Sequence, residues 1–176
     1  MVEVVLRTVS VDVASATPIL LLEEVHGNRI LPIFIGQPEA AAIAYALQEI
    51  ETPRPMTHDL MGEIITGLGG KVFNVEIQNL VGSTYYAALR LLINGAELTI
   101  SARPSDAVAL ALRVGAPILV NDELMDAEAQ IFEADDDDDE DDEEVFGAVA
   151  MEVEEEDLVA ELHEFLDGFG KGDGAP

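Results

Sequence analysis

Apolar residues in the first 50 positions alternate and cluster in ways that predict three strands and a helix. Residues 2–13 are rich in β-branched side chains interrupted by polar ones, a pattern typical of a half-buried strand. Residues 19–25 and 29–35 flank a short turn that contains Gly27, so we expect them to pair as an antiparallel hairpin. The alanine-rich run over 39–49 then favours a helix.

The pattern up to residue 121 predicts two more helices with strands between them. A helical pattern over 57–68 begins at Thr57, the expected N-cap. Three strands joined by glycine-containing turns follow, at 71–81, 85–93 and 97–101. We expect a further helix over 104–114, a short buried strand over 118–120, and a final turn capped by Asn121.

This order of elements indicates the fold class. Runs of strands separated by helices favour an α+β fold, with a mixed, largely antiparallel sheet and helices packed on it, over a doubly wound parallel sheet. Residues 42–47 (AIAYAL) resemble residues 107–112 (AVALAL), and each segment follows a predicted strand that ends in isoleucine. Internal duplication of a strands-plus-helix unit is one explanation, and chance similarity between alanine-rich helices is the other.

The last 44 residues have a different pattern. Eleven of the twelve residues at 133–144 are acidic, which predicts a disordered linker. Beyond it, apolar residues recur at helical spacing: Leu158, Leu162, Phe165, Leu166 and Phe169. This helix packs on its own domain or a sister subunit, or it binds a partner. The predicted organisation is a domain at 1–132, the linker, and a C-terminal amphipathic helix and tail at 145–176.

Charge limits the classes of function. The 176-residue chain has a formal net charge of -28, with 16 acidic and 7 basic residues in 1–132 and 20 acidic and 1 basic residue in 133–176. Such a chain would repel a phosphate backbone, which excludes proteins that hold nucleic acid by bulk electrostatics, as histones do. We therefore expect any DNA or RNA substrate to bind weakly.

Cysteine is absent from the chain, which excludes disulfide frameworks, cysteine-rich zinc sites and thiol nucleophiles. The sequence also has neither a basic leader nor an apolar run long enough to span a membrane. We expect a cytoplasmic protein with no membrane partner.

Three short segments place carboxylates near the starts of predicted helices: 36–39, 54–59 and 103–106. His58 is a candidate general base or acid, with Asp59 and Asp106 as its catalytic partners. Glu39, Asp59 and Asp106 are candidate ligands for a divalent cation, Mg²⁺ or Mn²⁺, in phosphodiester hydrolysis. In the structural alternative, His58 caps a helix and the carboxylates only complement helix dipoles.

Arg54, Arg103 and Ser105 are the candidate substrate-binding residues. Two of the few basic side chains in this acidic domain precede helix N-termini, where they can clamp phosphate oxygens. In the alternative interpretation, Arg103 and Asp106 form a local bidentate ion pair and Ser105 supplies a hydroxyl near the helix cap.

These segments also resemble a known family. Leu31–Gly36 with Glu39-Ala40, then Arg54–Leu60, then Arg103–Ala111 are similar in order and rough spacing to the motifs of the bifunctional nuclease domain family. The resemblance covers about residues 1–130. It implies an α+β domain that is homodimeric and degrades both DNA and RNA. Some family members append a small helical UVR-type module, whereas this chain carries an acidic segment and one predicted helix.

Two classes of function follow. The first is a metal-dependent nuclease that hydrolyses DNA and RNA. The alternative is a non-enzymatic regulatory or small-ligand-binding homodimeric module, whose acidic tail acts as a solubilising or competing polyanion.

Overall fold

The computed structural model describes residues 1–12 and 15–131, and the backbone of 148–150. The strands are β1 (Val2–Asp12), β2 (Thr17–Glu24), β3 (Arg29–Phe34), β4 (Gly70–Val81), β5 (Thr84–Ile93), β6 (Ala96–Ala102), β7 (Ile118–Val120), β8 (Gln130–Ile131) and β9 (Ala148–Ala150). The helices are α1 (Gln37–Leu47), α2 (Thr57–Gly67), α3 (Pro104–Val114) and α4 (Asp122–Glu128).

The strands form one mixed sheet in the order β6-β5-β4-β7-β1-β2-β3-β8, with β9 pairing beside β1. Only β4 and β7 pair in parallel among the described strands, and the other neighbours are antiparallel. The predicted α+β class and the predicted hairpin of β2 and β3 are therefore confirmed. Two three-stranded meanders flank β7, and each is followed by a helix, α1 or α3. This repeated unit agrees with the duplication hypothesis.

A hydrophobic core between the sheet and the helices fixes the position of α3. Its central residues, Ala107 to Ala111, are all at most 1% exposed and belong to one cluster with strand residues such as Val75 and Leu89. Alanine side chains allow close approach of a helix to a sheet. On the other side of α3, a Cβ added at Gly62 of α2 would lie 3.1 Å from Val114 Cγ1. The glycine therefore lets α2 pack closely on α3.

The helix caps agree with the sequence in one case and differ in another. Asn121 caps α4 as predicted, since its Oδ1 accepts a hydrogen bond from the Glu123 N–H at 2.8 Å. The prediction of Thr57 as N-cap is wrong. Met56 is the N-cap of α2, and its N–H donates to Asp59 Oδ2 at 2.8 Å. The carboxylate at the third helical position thus reaches back to the cap residue, so no hydroxyl is needed there.

The acidic linker at 133–144 and most of the 145–176 region, including the helical pattern from Leu158 to Phe169, lie outside the described residues. In the described part of the chain, no helix has both the length and the apolar character that crossing a bilayer requires.

Candidate functional site: a cleft between three helix N-termini

The first turns of α1, α2 and α3 meet at one cavity of about 410 Å³, which we call the three-helix cleft. Its lining consists of Pro38, Glu39, Ala42, Met56, Thr57, His58, Met61, Arg103 and Asp106. Helix N-termini present unpaired backbone N–H groups and a partial positive charge. Three of them around one cavity favour an anionic ligand.

Arg103, the N-cap residue of α3, links two carboxylates in the lining of the cleft. Its Nη1 donates to Glu39 Oε1 at 2.6 Å, while Nε and Nη2 donate to the two oxygens of Asp106 at 2.7 and 3.0 Å. The predicted local bidentate pair is confirmed, and the hydrogen bonds to Asp106 and Glu39 raise the pKa of Arg103. The side chain is still 64% exposed. Of the five N–H groups of a guanidinium, two have no acceptor among the described residues.

His58 lies on the other side of Asp106. The histidine is buried, and its Nε2 lies 3.3 Å from Asp106 Oδ1. Hydrogen bonds from Arg103 hold the pKa of Asp106 below its usual range, burial opposes them, and His58 adds to the lowering. Asp106 is therefore an ionised acceptor at neutral pH. It favours the tautomer that carries its proton on Nε2, which leaves Nδ1 as a proton acceptor.

Asp59 is not part of this cleft, although it follows His58 in the sequence. Its Oδ1 accepts a hydrogen bond from Arg113 Nε at 2.5 Å, and it lines a separate cavity with Arg113 and Tyr45. Burial raises the pKa of Asp59, but the hydrogen bonds from the Met56 N–H and from Arg113 lower it by more. Arg113 also donates to the carbonyls of Ala109 and Ala42 at 2.9 Å. The Asp59–Arg113 pair thus joins α1, α2 and α3.

The remaining predicted residues have distinct places. Arg54 is exposed in the connector before α2 and is not among the residues that line the three-helix cleft. Ser105 is buried at the second position of α3 and lines a neighbouring groove together with Arg103 and Glu39. Of the predicted site residues, Glu39, His58, Arg103 and Asp106 therefore share one cavity.

Comparisons with known proteins identify the family of the chain. The family model of the bifunctional nuclease domain matches residues 20–133. The chain belongs to the bifunctional nuclease domain family. It is 43% identical over 156 residues to an uncharacterized protein of Mycobacterium tuberculosis, covering 89% of this chain and 87% of that relative.

Two plant relatives are named bifunctional nuclease 1. The one from Oryza sativa subsp. indica is 32% identical over 113 residues, and the one from Arabidopsis thaliana is 29% identical over 116 residues. These matches cover 62% and 64% of this chain but only 34% and 36% of the plant proteins. The similarity to the plant proteins is therefore confined to a part of each of them.

The metal site predicted from Glu39, Asp59 and Asp106 does not fit this geometry. Asp59 lines another cavity, and the guanidinium of Arg103 lies between Glu39 and Asp106. A divalent cation on those two carboxylates would have to displace a positive charge that both already bind. Within the described residues, no group of three or more His, Asp or Glu side chains is arranged to hold a metal ion.

The contact of Arg113 was missed in the sequence, and Gly36 was included only as a member of the segment 36–39 and of the Leu31–Gly36 motif. Arg113 is predicted there only as part of a helix, and its partner Asp59 is 54 residues away. Gly36 matters because an added Cβ would overlap Oε2 of Glu39. No local sequence signal identifies Arg113 as the partner of Asp59, because the two residues are 54 positions apart.

Proposed function

We propose that this chain hydrolyses phosphodiester bonds of DNA and RNA in the three-helix cleft. The observation that carries the proposal is the meeting of His58, Arg103 and Asp106, from two separate sequence segments, around one cavity. Membership in the bifunctional nuclease domain family and the names of the plant relatives support it.

Arg103 and the helix N-termini bind the scissile phosphate in this proposal. The two N–H groups of Arg103 without acceptors among the described residues suit the non-bridging oxygens of a phosphate. Glu39, Asp106 and Arg103 together leave one net negative charge. Each of the three N-termini contributes roughly half a positive charge, so the cleft attracts an anion locally although the chain as a whole is acidic.

His58 acts as the general base in the proposed reaction, in which water attacks phosphorus, the phosphorus–oxygen bond opposite the water breaks, and solvent protonates the leaving oxygen. Its Nδ1 takes a proton from the attacking water, and Asp106 holds the ring and stabilises the imidazolium that forms. Positioned proton transfer of this kind contributes roughly 10²–10⁴-fold to a rate.

No step of this mechanism passes through a metal ion, because the predicted carboxylate ligands do not form one set. Dependence on Mg²⁺ or Mn²⁺ stays a prediction from the sequence. It is tested by assaying the same preparation with EDTA, and then with each cation restored.

The deciding experiment follows the cleavage of end-labelled DNA and RNA oligonucleotides by the full chain. We expect His58→Ala to lose roughly 10²–10⁴-fold in rate. His26→Ala, at an exposed residue in the turn between β2 and β3, is the matched control and should cleave like the wild type. A wild-type rate in His58→Ala would refute the proposed site, and an absence of cleavage by the wild type under every cation condition would refute the activity.

We further propose that the chain forms a homodimer through β6. This strand lies at the end of the sheet order, and its Leu98 and Ile100 are 46% and 41% exposed. Edge strands with exposed apolar side chains favour pairing with another chain. Sedimentation equilibrium should show a dimer for the wild type and a monomer for Leu98→Lys. A dimer in both would refute this interface.

A further inference from the structure

A second cavity adjoins the three-helix cleft. This strand-end groove, of about 360 Å³, lies between the end of β3, the turn from β4 to β5, and the start of α3. It is lined by Ile33–Gly36, Ser83–Tyr85 and Arg103–Ser105, together with Glu39. Arg103 and Glu39 line both cavities. A ligand held by Arg103 can therefore extend from the cleft into the groove.

The lining of the groove suits an uncharged planar group. Phe34 and Tyr85 supply aromatic rings, and the Phe34 residue is 61% exposed. Ser83 and Thr84 add exposed hydroxyls that can donate and accept hydrogen bonds. Burial, with a smaller contribution from Glu128, raises the pKa of Tyr85, so its hydroxyl stays protonated at neutral pH.

The charge of the lining residues also argues against a groove that follows a continuous phosphate backbone. Among the described residues that line it, Arg103 is the one cation, and it already contacts two carboxylates. A continuous phosphate backbone needs a row of cations along the groove. Aromatic rings beside a single arginine instead match one nucleotide, with the phosphate on the arginine and the base against the rings.

We propose that the strand-end groove binds the nucleobase next to the phosphate held by Arg103, and that the substrate is accordingly single-stranded DNA or RNA. This inference rests on the proposed phosphodiester hydrolysis in the adjoining cleft. A base inside a duplex is paired and stacked, so it must leave the stack before it can enter the groove. An unpaired base enters without that cost.

The binding test uses the full-length chain and needs no catalysis. Adenosine 5′-monophosphate and ribose 5-phosphate are titrated into the wild type, Phe34→Ala and Phe73→Ala, with affinities from calorimetry. Phe73 is the matched control, because it is also 61% exposed but lies on β4 and lines a different cavity. We expect the nucleotide to bind roughly tenfold more tightly than the sugar phosphate. Phe34→Ala should remove this difference, and Phe73→Ala should keep it.

The cleavage test compares a single-stranded oligonucleotide with its duplex in the same three proteins. The wild type should cleave the single strand roughly tenfold faster or more, and Phe34→Ala should lower kcat/KM for it while Phe73→Ala does not. Equal affinity for nucleotide and sugar phosphate in the wild type, or equal effects of the two alanine variants, would overturn the base site.

The two tests separate this inference from the proposed function. Preferential nucleotide binding that depends on Phe34, without cleavage of any oligonucleotide, would support the base site and refute the nuclease. Cleavage of single strand and duplex at the same rate, unaffected by Phe34→Ala, would support the nuclease and overturn the base site.

Discussion

Two arginine–aspartate pairs lie at opposite ends of α3 and show how the same chemistry is used in two ways. At the start of the helix, Arg103 binds Asp106 and Glu39 and its side chain is 64% exposed. Near the end, Arg113 binds Asp59 and its side chain is 10% exposed. Each guanidinium donates three hydrogen bonds, but a ligand can reach the remaining N–H groups of the exposed Arg103, whereas Arg113 is buried among the helices.

The difference follows from what surrounds each guanidinium. Arg113 donates to Asp59 and to the backbone carbonyls of Ala42 and Ala109, and its side chain is 10% exposed. Arg103 donates only to carboxylates, and it sits at an N-terminus where the helix itself supplies positive charge. Burial and backbone partners therefore indicate a structural arginine, and exposure beside a cavity indicates one that can bind a ligand.

The largest expected effect separates the two aspartates. Asp106→Asn removes the charge that orients His58, and we expect cleavage of oligonucleotides to slow by roughly 10²–10³-fold. Asp59→Asn, the matched control from the other pair, should leave the rate per folded molecule within about threefold of the wild type, since Asp59 does not line the cleft. Equal losses in both variants would contradict the division between a functional and a structural pair.

The second prediction concerns stability. Arg113→Met should lower the free energy of unfolding by about 2–3 kcal/mol, because it leaves Oδ1 of the ionised Asp59 without its cationic donor and removes two further hydrogen bonds to helix carbonyls. Arg103→Met should cost at most about 1 kcal/mol, because its ion pairs are largely exposed. Urea unfolding followed by circular dichroism measures both values. The comparison fails if Arg103→Met is the more destabilising change.

Much of the fold could be predicted from local sequence patterns. The hairpin of β2 and β3 depends on alternation and a short turn, and α3 depends on an alanine-rich run after Pro104. Both are set by residues close together in the chain, so periodicity is enough. The place of β7 between the two meanders depends on contacts across the whole domain, and no local pattern encodes it.

Local sequence patterns predict less of the candidate site than of the fold. The Arg103–Asp106 pair could be predicted because residues three apart on a helix are neighbours. His58 and Asp59 were expected in one cleft, but adjacent helical residues point about 100° apart. Asp59 therefore points toward Arg113 and not into the cleft. Arg113 lies 54 residues further along the chain, so helix geometry alone cannot identify it as the partner.

A third prediction concerns acid stability. The pKa values of Asp59 and Asp106 are lowered in the folded state, so their ion pairs stabilise it fully above the unfolded pKa of about 3.9. This stabilisation is lost as the pH falls through the folded pKa. Arg113→Met removes the lowering of the Asp59 pKa by Arg113, so the difference in unfolding free energy from the wild type should narrow as the pH falls below about 4. Urea titrations at each pH measure it, and a constant difference would contradict the assignment.

The smallest expected effect tests whether the ion pair with Glu39 lowers the affinity of Arg103 for an anion. The backbone at Gly36 has φ -80° and ψ 159°, which alanine adopts readily, but an added Cβ would overlap Oε2 of Glu39. Gly36→Ala should therefore move the flexible carboxylate off Arg103 and change stability by less than about 0.5 kcal/mol.

An arginine released from one of its two carboxylates attracts an anion more strongly, so Gly36→Ala should bind inorganic phosphate about two- to fivefold more tightly. Gly67→Ala is the matched control, since a Cβ there meets no atom within 4 Å. Calorimetric titration with inorganic phosphate measures this change in affinity. Weaker binding in Gly36→Ala would mean that Glu39 holds Arg103 in its binding position instead of competing for it.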